Sequence, residues 1–472
     1  MERLYGPVRS GLWLLPIIGG LIWCWEVGYE GLNGQDAHDY LRTARAWEGY
    51  FLGGERPLTA EHPQAYPYAG AVLGAVLGNV LIAMRLLPIL AFIVLGLVFR
   101  RAIEEREQVA SPAWVYVLLA IGASPFLLRY ALVCMSDLPA MALVVLSWWA
   151  WGRAIADRNA RWWVLCSVAA VLAVQVRLAC APMLGGLVLL TAYRMTPERW
   201  SRIFLYTCGA LLTLAVLPAL FQPQAWMEEV AGTPLADWTP VNLFRRELHS
   251  DDGVLRYPFP NGVRLFAVFV HPGFLPLGAV LIVFARSSDL QGTLQRAAVA
   301  MLITYLLFVG SMPFQNDRVL LLAQPFAAFL LYPAFLRLWA RVEAAPRYST
   351  PVLVVVVALQ VAFFVRAMAP FIRNARVEQE LAAEVVASGT SHVYTHGMGA
   401  AFSNLCPRQR ITELWYAPVP TFEPGALVVV KPMEMLDQWK GLHPATNWER
   451  AREQGLEVLD ERPDGWGIYR VR

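Results

Sequence analysis

Stretches of about 20 mostly apolar residues, the length that carries an α-helix through the ~30 Å hydrocarbon core of a bilayer, recur along this chain from Leu12 almost to Ala369. A single soluble core has no use for so many. Charged residues make up only 16% of the 472, against about 25% in soluble domains. The pattern excludes a soluble enzyme, a disordered chain and a nucleic-acid binder, and it defines an α-helical polytopic membrane protein. A net charge of +3 says little about partners. The six cysteines (Cys24, Cys134, Cys166, Cys180, Cys208 and Cys406) include no CxxC pair and read as small apolar residues. Arg3 and Arg9 before the apolar stretch Leu12–Trp25 imitate a secretory signal. Trp23, Trp25 and Glu26 stand where small cleavage-site residues belong, so this stretch reads as an uncleaved first span.

The bilayer ruler places about eleven spans, at 11–27, 85–100, 112–128, 138–153, 162–176, 178–193, 203–220, 264–285, 297–313, 319–337 and 350–369. With the N-terminus in the cytoplasm, the short inner connectors hold 16 Arg. The longer outer segments before the C-terminal region hold ten, so the positive-inside rule favours this orientation. The 33 residues from Pro67 to Phe99 would run about 50 Å as one helix. They are expected to divide at Arg85 and Pro88, with Pro67–Ala83 packed closely through Gly70, Gly74 and Gly78 rather than crossing. Arg177 marks the turn of a hairpin within Trp162–Tyr193.

Three outer segments, 28–66, 221–263 and 370–472, are too long to be plain connectors, which puts the working face outside. The chain therefore divides into a membrane unit over 1–370, with outer loops 28–66 and 221–263, and a small extracytoplasmic α/β domain over 371–472. In that domain helices are expected near 377–388 and 448–454, and strands near 392–396, 426–431 and 467–471.

The polar residues that could carry chemistry sit at the outer ends of spans. The first outer loop opens Gly34-Gln35-Asp36-Ala37-His38-Asp39-Tyr40, and its apolar positions then follow helical spacing, as in an amphipathic helix lying on the membrane. Asp36 either faces a cleft or caps that helix. Glu61-His62-Pro63 closes the loop, with His62 either an interfacial residue before a turn or a site residue. Ser136-Asp137-Leu138-Pro139 puts a second carboxylate at the mouth of a span, again as a cap, a site residue or both. Arg177 fits a snorkelling boundary residue. Arg318, which runs against the positive-inside bias, fits either a boundary residue or an anion binder.

Taken together, an acidic motif after the first span, a His-Pro element, a second acid, an Arg at a late span and a C-terminal outer domain resemble the GT-C class of glycosyltransferases. The resemblance is closest to the bacterial relatives of protein O-mannosyltransferases and of lipid A aminoarabinose transferase. Asp36 and Tyr40 match the family's Asp and Tyr, with Ala37 in place of a Glu; His62-Pro63-Gln64 stands for His-Pro-Pro, and Arg318-Val319-Leu320-Leu321 for Arg-Tyr-Leu-Leu. The resemblance implies inverting transfer of a sugar from a polyprenyl-phosphate carrier to a lipid, glycan or protein acceptor at the outer face of the cytoplasmic membrane. On that reading Asp36 is the general base, with Asp137 and His62 also in the catalytic set. Arg318, then Arg177, would bind the donor phosphate, and Asp39 and Tyr40 the substrate. Asp36, His38, Asp39, His62 and Asp137 also offer oxygen and nitrogen ligands to a divalent cation, without a spacing that specifies a site.

Two other classes suit so apolar a chain. A secondary transporter would place ionisable residues near the midplane and show repeats, neither of which is visible here; a polymerase or ligase of lipid-linked glycans would share the donor. Reporter fusions test the topology. They should lie inside near Glu104, Asp157, Glu198 and Ser288, and outside near Glu55, Asp251 and the C-terminus; an inside C-terminus rules out the eleven-span arrangement.

Overall fold

The computed structural model describes residues 11–55, 57, 63–107, 112–194, 237–250 and 252–472. The expected span at 203–220, His62 and Asp251 lie outside the described residues. Among those described, four helices are long and apolar enough to cross a membrane, or five if one sharply bent pair is a single span.

Helix α1 (Leu15–Glu26) is followed by α2 (Gly34–Phe51), α3 (Ala65–Leu77) and the long α4 (Val80–Glu107). The break between α3 and α4 falls at Gly78, not at Arg85 and Pro88. Gly78 takes a left-handed conformation (φ 72°), which glycine adopts without steric cost, while Pro88 stays inside α4. The expected close packing has a local cause, because a Cβ on Gly74 would stand 2.9 Å from Val80 Cα.

The next span is interrupted. Helix α5 (Ala113–Val117) continues as a π-helical turn (Leu118–Gly122), and after a 63° bend the chain resumes as α6 (Pro125–Ala131). Helix α7 (Asp137–Asp157) pairs with α8 (Ala160–Val176), and α8 turns into α9 (Cys180–Arg194) at Arg177, whose backbone is extended (φ −158°). The single helix expected at 264–285 is instead three short ones, α10 (Asn261–Arg264), α11 (Ala267–Val270) and α12 (Gly278–Phe284), separated around His271-Pro272-Gly273. Proline lacks the N–H that an unbroken helix needs there. Helices α13 (Thr293–Gly310), α14 (Asp317–Leu321) and α15 (Gln324–Glu343) follow.

Broken helices release backbone carbonyls, and because lipid offers no donors these must find them within the protein. Gln324, fully buried, supplies them. Its Nε2 donates to the carbonyls of Ala120 (3.1 Å) and Phe274 (2.8 Å), one at each break, and to Ser124 Oγ (2.8 Å). Gln360 Nε2 donates to the Leu119 carbonyl (2.7 Å) in the same region.

The last membrane helix, α16 (Pro346–Ala387), is continuous through residue 370 for 42 residues, about 63 Å at ~1.5 Å per residue. It leads into a five-stranded sheet of order β4-β3-β5-β7-β6, formed by β3 (His392–Thr395), β4 (Arg410–Glu413), β5 (Leu427–Val430), β6 (Leu456–Glu461) and β7 (Gly467–Val471). Strand β3 pairs in parallel with β4 and β5, and β7 is antiparallel to β5 and β6. Helices α17 (Gly399–Leu405), α18 (Pro432–Gln438) and α19 (His443–Gln454) complete the domain. Within the partly described 221–263 segment, strands β1 (Glu247–Ser250) and β2 (Gly253–Arg256) form a hairpin tied to α18 by Gln438 Nε2 and the Asp252 carbonyl (2.7 Å).

At the opposite end of the bundle, Arg106 donates to the carbonyls of Asp289 and Phe329 (both 2.9 Å), Arg337 pairs with Asp289 (2.6 Å), and Arg153 pairs with Asp157 (2.8 Å) and Glu105 (3.5 Å). Several connectors assigned to one side by the arginine count therefore meet one another.

Gly74→Ala should lower stability by about 1–3 kcal/mol through overpacking. Gly49→Ala is the contrast: it lies in α2 with nothing within 4 Å of its added methyl group. Thermal unfolding of the two detergent-solubilised variants compares them, and equal midpoints would refute the close α3–α4 contact.

Candidate active site

Four element ends converge where the bundle meets the C-terminal sheet. Asn33 stands at the N-cap of α2, so Asp36 lies in the first turn and is not the cap; there the helix dipole favours its negative charge. Asp137 opens α7 one residue past its cap, Ser136. Arg177 forms the α8–α9 turn, and Arg318 is the second residue of α14, with its backbone N–H held by the side chain of the Asn316 cap (2.9 Å).

Arg318 joins the two acids. Its Nη1 bonds Asp36 Oδ2, and its Nε donates to Asp137 Oδ2 (2.7 Å). Arg177 Nη1 takes the other Asp137 oxygen (2.9 Å). Asp137 is completely buried, whereas the Asp36 side chain keeps 34% of its exposure. Two half-buried guanidinium groups thus meet two carboxylates, one of them completely buried, and a charge out of water needs such partners. Among the described residues Arg318 Nη2 makes no hydrogen bond, leaving one arm of the fork for a ligand. Tyr40 OH lies 2.9 Å from Ser136 Oγ, beside Asp137, and its ring meets Tyr66 edge-on.

The structure does not bring every expected residue to this cluster. Asp39 pairs along its own helix with Arg42 (2.7 Å). His62 lies outside the described residues. Among those described, no three His, Cys, Asp or Glu side chains gather as metal ligands. The carboxylates proposed for a cation face arginines, and His38 Nε2 lies 3.1 Å from Glu378 Oε2.

Sequence reasoning missed the groups that hold the Asp36 turn. Glu378 on α16 accepts from the Gly34 N–H (2.9 Å) and meets His38. Gln35 is gripped from both sides, its Nε2 donating to Glu413 Oε2 (3.1 Å) and its Oε1 accepting from the Ala400 N–H (2.7 Å). Asn404 donates to the His38 carbonyl (2.8 Å). The C-terminal sheet and α17 therefore fix the residue immediately before Asp36.

Glu413 also accepts from the N–H groups of Gly397 (3.0 Å) and Gly399 (2.9 Å). Burial nevertheless pushes its carboxyl up to about 7, with these hydrogen bonds pulling the other way. Nearby His396 Nδ1, 3.6 Å away, offers no compensating charge, because burial holds that imidazole down at about 4.

Over nearly its whole length the chain shares its fold with solved structures of ArnT. ArnT from Cupriavidus metallidurans in the apo state superposes with a TM-score of 0.56 at 14% identity, over 97% of this chain and 97% of that one. ArnT from the same organism bound to undecaprenyl phosphate gives 0.55 at 14% identity, over 98% of each chain. The arabinofuranosyltransferase AftD from Mycobacteria aligns over 40% of its own length with a TM-score of 0.40. No protein-family model and no curated protein matches the chain.

Glu413 generates a pH prediction. Folding raises its pKa from about 4.5 to about 7, so its contribution to stability is whole below about pH 4.5 and is lost as pH rises through about 7, a swing of about 3 kcal/mol at most. The unfolding midpoint of the full chain should fall between pH 5 and pH 8, and Glu413→Gln should flatten that slope. An unchanged slope in the variant would assign the dependence to other groups.

Proposed function

We propose that this protein is an inverting membrane glycosyltransferase that moves a sugar from a polyprenyl-phosphate carrier to an acceptor at the extracytoplasmic face of the cytoplasmic membrane. The observation that carries the reading is the Arg318 bridge, which ties a solvent-reachable carboxylate, Asp36, to a fully buried one, Asp137. The shared fold with ArnT supports it, and one of those ArnT structures is bound to undecaprenyl phosphate. In this reading residues 1–370 form the membrane transferase unit, crossing about eleven times, and residues 371–472 form the extracytoplasmic domain.

The chemistry divides between the two acids by exposure. Asp36 takes the proton of the attacking acceptor hydroxyl, whose oxygen forms the new bond to the anomeric carbon on the face opposite the phosphate. The anomeric carbon–oxygen bond to the phosphate breaks, and its electron pair leaves with the lipid phosphate. Arg318 lies beside that developing charge with one arm unused, and a planar guanidinium binds a phosphate in two places at once. Asp137, unreachable by substrate, is a positioning residue that holds Arg318 and Arg177 in register. Tyr40, bonded to Ser136, lines the same side.

Asp36→Asn separates chemistry from architecture. The amide keeps the size and much of the hydrogen bonding of the carboxylate but cannot take the proton. The variant should accumulate and bind donor like the parent while transferring sugar at least about a hundredfold more slowly. Asp39→Asn, whose partner is the exposed Arg42, should be much milder. Transfer from polyprenyl-phosphate sugars by purified protein is the measurement, and near-normal turnover by Asp36→Asn would remove Asp36 from the base role.

A further inference from the structure

The arginines at this end of the bundle are not equivalent. Among the described residues, Arg177 and Arg318 are balanced by Asp36 and Asp137, two charges of each sign. Arg129, near the end of α6, is 7% exposed. Its guanidinium lies over three rings, Phe126, Tyr130 and Phe371, at 4.5, 4.7 and 4.8 Å from their centroids. Nη2 donates to the Tyr130 hydroxyl (3.2 Å), and Nε has no hydrogen-bond partner. Among the described residues, no carboxylate pairs with this cation.

Its place is informative. Arg129 lies near the end of α6, and α6 packs against α7, the helix that Asp137 opens. Ring faces answer a cation from its flat sides and leave the N–H edges unsatisfied. A buried charge normally has a counter-ion in the same low-dielectric space. Among the described residues, Arg129, Arg177 and Arg318 stand against Asp36 and Asp137, an excess of one positive charge.

We propose that Arg129 is a phosphate subsite for the polyprenyl carrier, supplying the cation that the balanced Asp–Arg cluster lacks; this rests on the glycosyltransferase reading above. A sugar-phosphate-polyprenyl diester brings one negative charge into the site, which matches the excess. When the anomeric bond breaks, its electron pair stays on the phosphate oxygen, and the resulting monoester carries up to about two charges. The unused edge of Arg129 and the unused arm of Arg318 are then two donors for the leaving group.

The test is equilibrium binding of radiolabelled polyprenyl monophosphate to the purified full chain in detergent, with the corresponding polyprenol as the uncharged competitor. The parent should prefer the phosphate. Arg129→Met should weaken phosphate binding by at least about tenfold and leave polyprenol binding unchanged, while Arg129→Lys should keep the preference at reduced affinity because it loses the fork. A parent that binds phosphate and alcohol alike refutes the glycosyltransferase reading itself. A parent that prefers the phosphate, with Arg129→Met retaining that preference in full, refutes the Arg129 subsite alone. If Arg129→Met does not accumulate, Arg129→Lys decides: parental phosphate affinity in that variant overturns the proposal.

Discussion

The Arg318 bridge is the constraint on which this end of the molecule depends. A carboxylate as buried as Asp137 is tolerable only because two guanidinium groups take its two oxygens, and removing one member of such a set leaves an uncompensated charge that costs about 3–5 kcal/mol. The bridge therefore fixes the relative positions of the α2, α7 and α14 starts and of the α8–α9 turn. It also makes the two acids different. Asp137 is spent on architecture, and Asp36 retains access to solvent from the same guanidinium.

The second constraint is that lipid offers a freed backbone carbonyl no hydrogen-bond donor. Two membrane segments are broken, at Leu118–Ser124 and around His271–Gly273, and each break frees carbonyls. A single side chain, Gln324, reaches both. Ser124 joins the same network through the Phe274 carbonyl (3.1 Å). These breaks let short helices end inside the fold, and α6, which carries Arg129 and Tyr130, packs against α7, which Asp137 opens.

Much of this was legible in the sequence because the decisive residues carry a signature that lipid makes conspicuous: charge at the end of an apolar run. Asp36, Asp137, Arg177 and Arg318 all stood out in that way, and the structure brings the four together. Asp39 carried the same signature but pairs with Arg42, three residues on along its own helix. The break at Gly78 was misplaced because Arg85 and Pro88 are louder signals than a glycine. Strands β4 and β6 were not expected, and both are sheet edges; sequences such as Arg410-Ile411-Thr412-Glu413 lack the apolar run of a central strand like Leu427–Val430. The grip of Glu378, Ala400 and Glu413 on the Asp36 turn joins positions more than 340 residues apart, and no local pattern announces it.

Helix α16 gives the C-terminal domain a stiff mount. A flexible linker would let the sheet reorient freely, but a continuous helix transmits displacement along its length, with exposed apolar side chains such as Val354 and Leu359 at one end and Glu378 at the other. Its weakest point is Pro370, which removes one hydrogen bond from the helical ladder and favours a bend there. The next residue, Phe371, is one of the three rings against Arg129. Bending the mount there would move the aromatic wall beside the cation, so the position of the C-terminal domain and the packing around Arg129 are coupled through one helix.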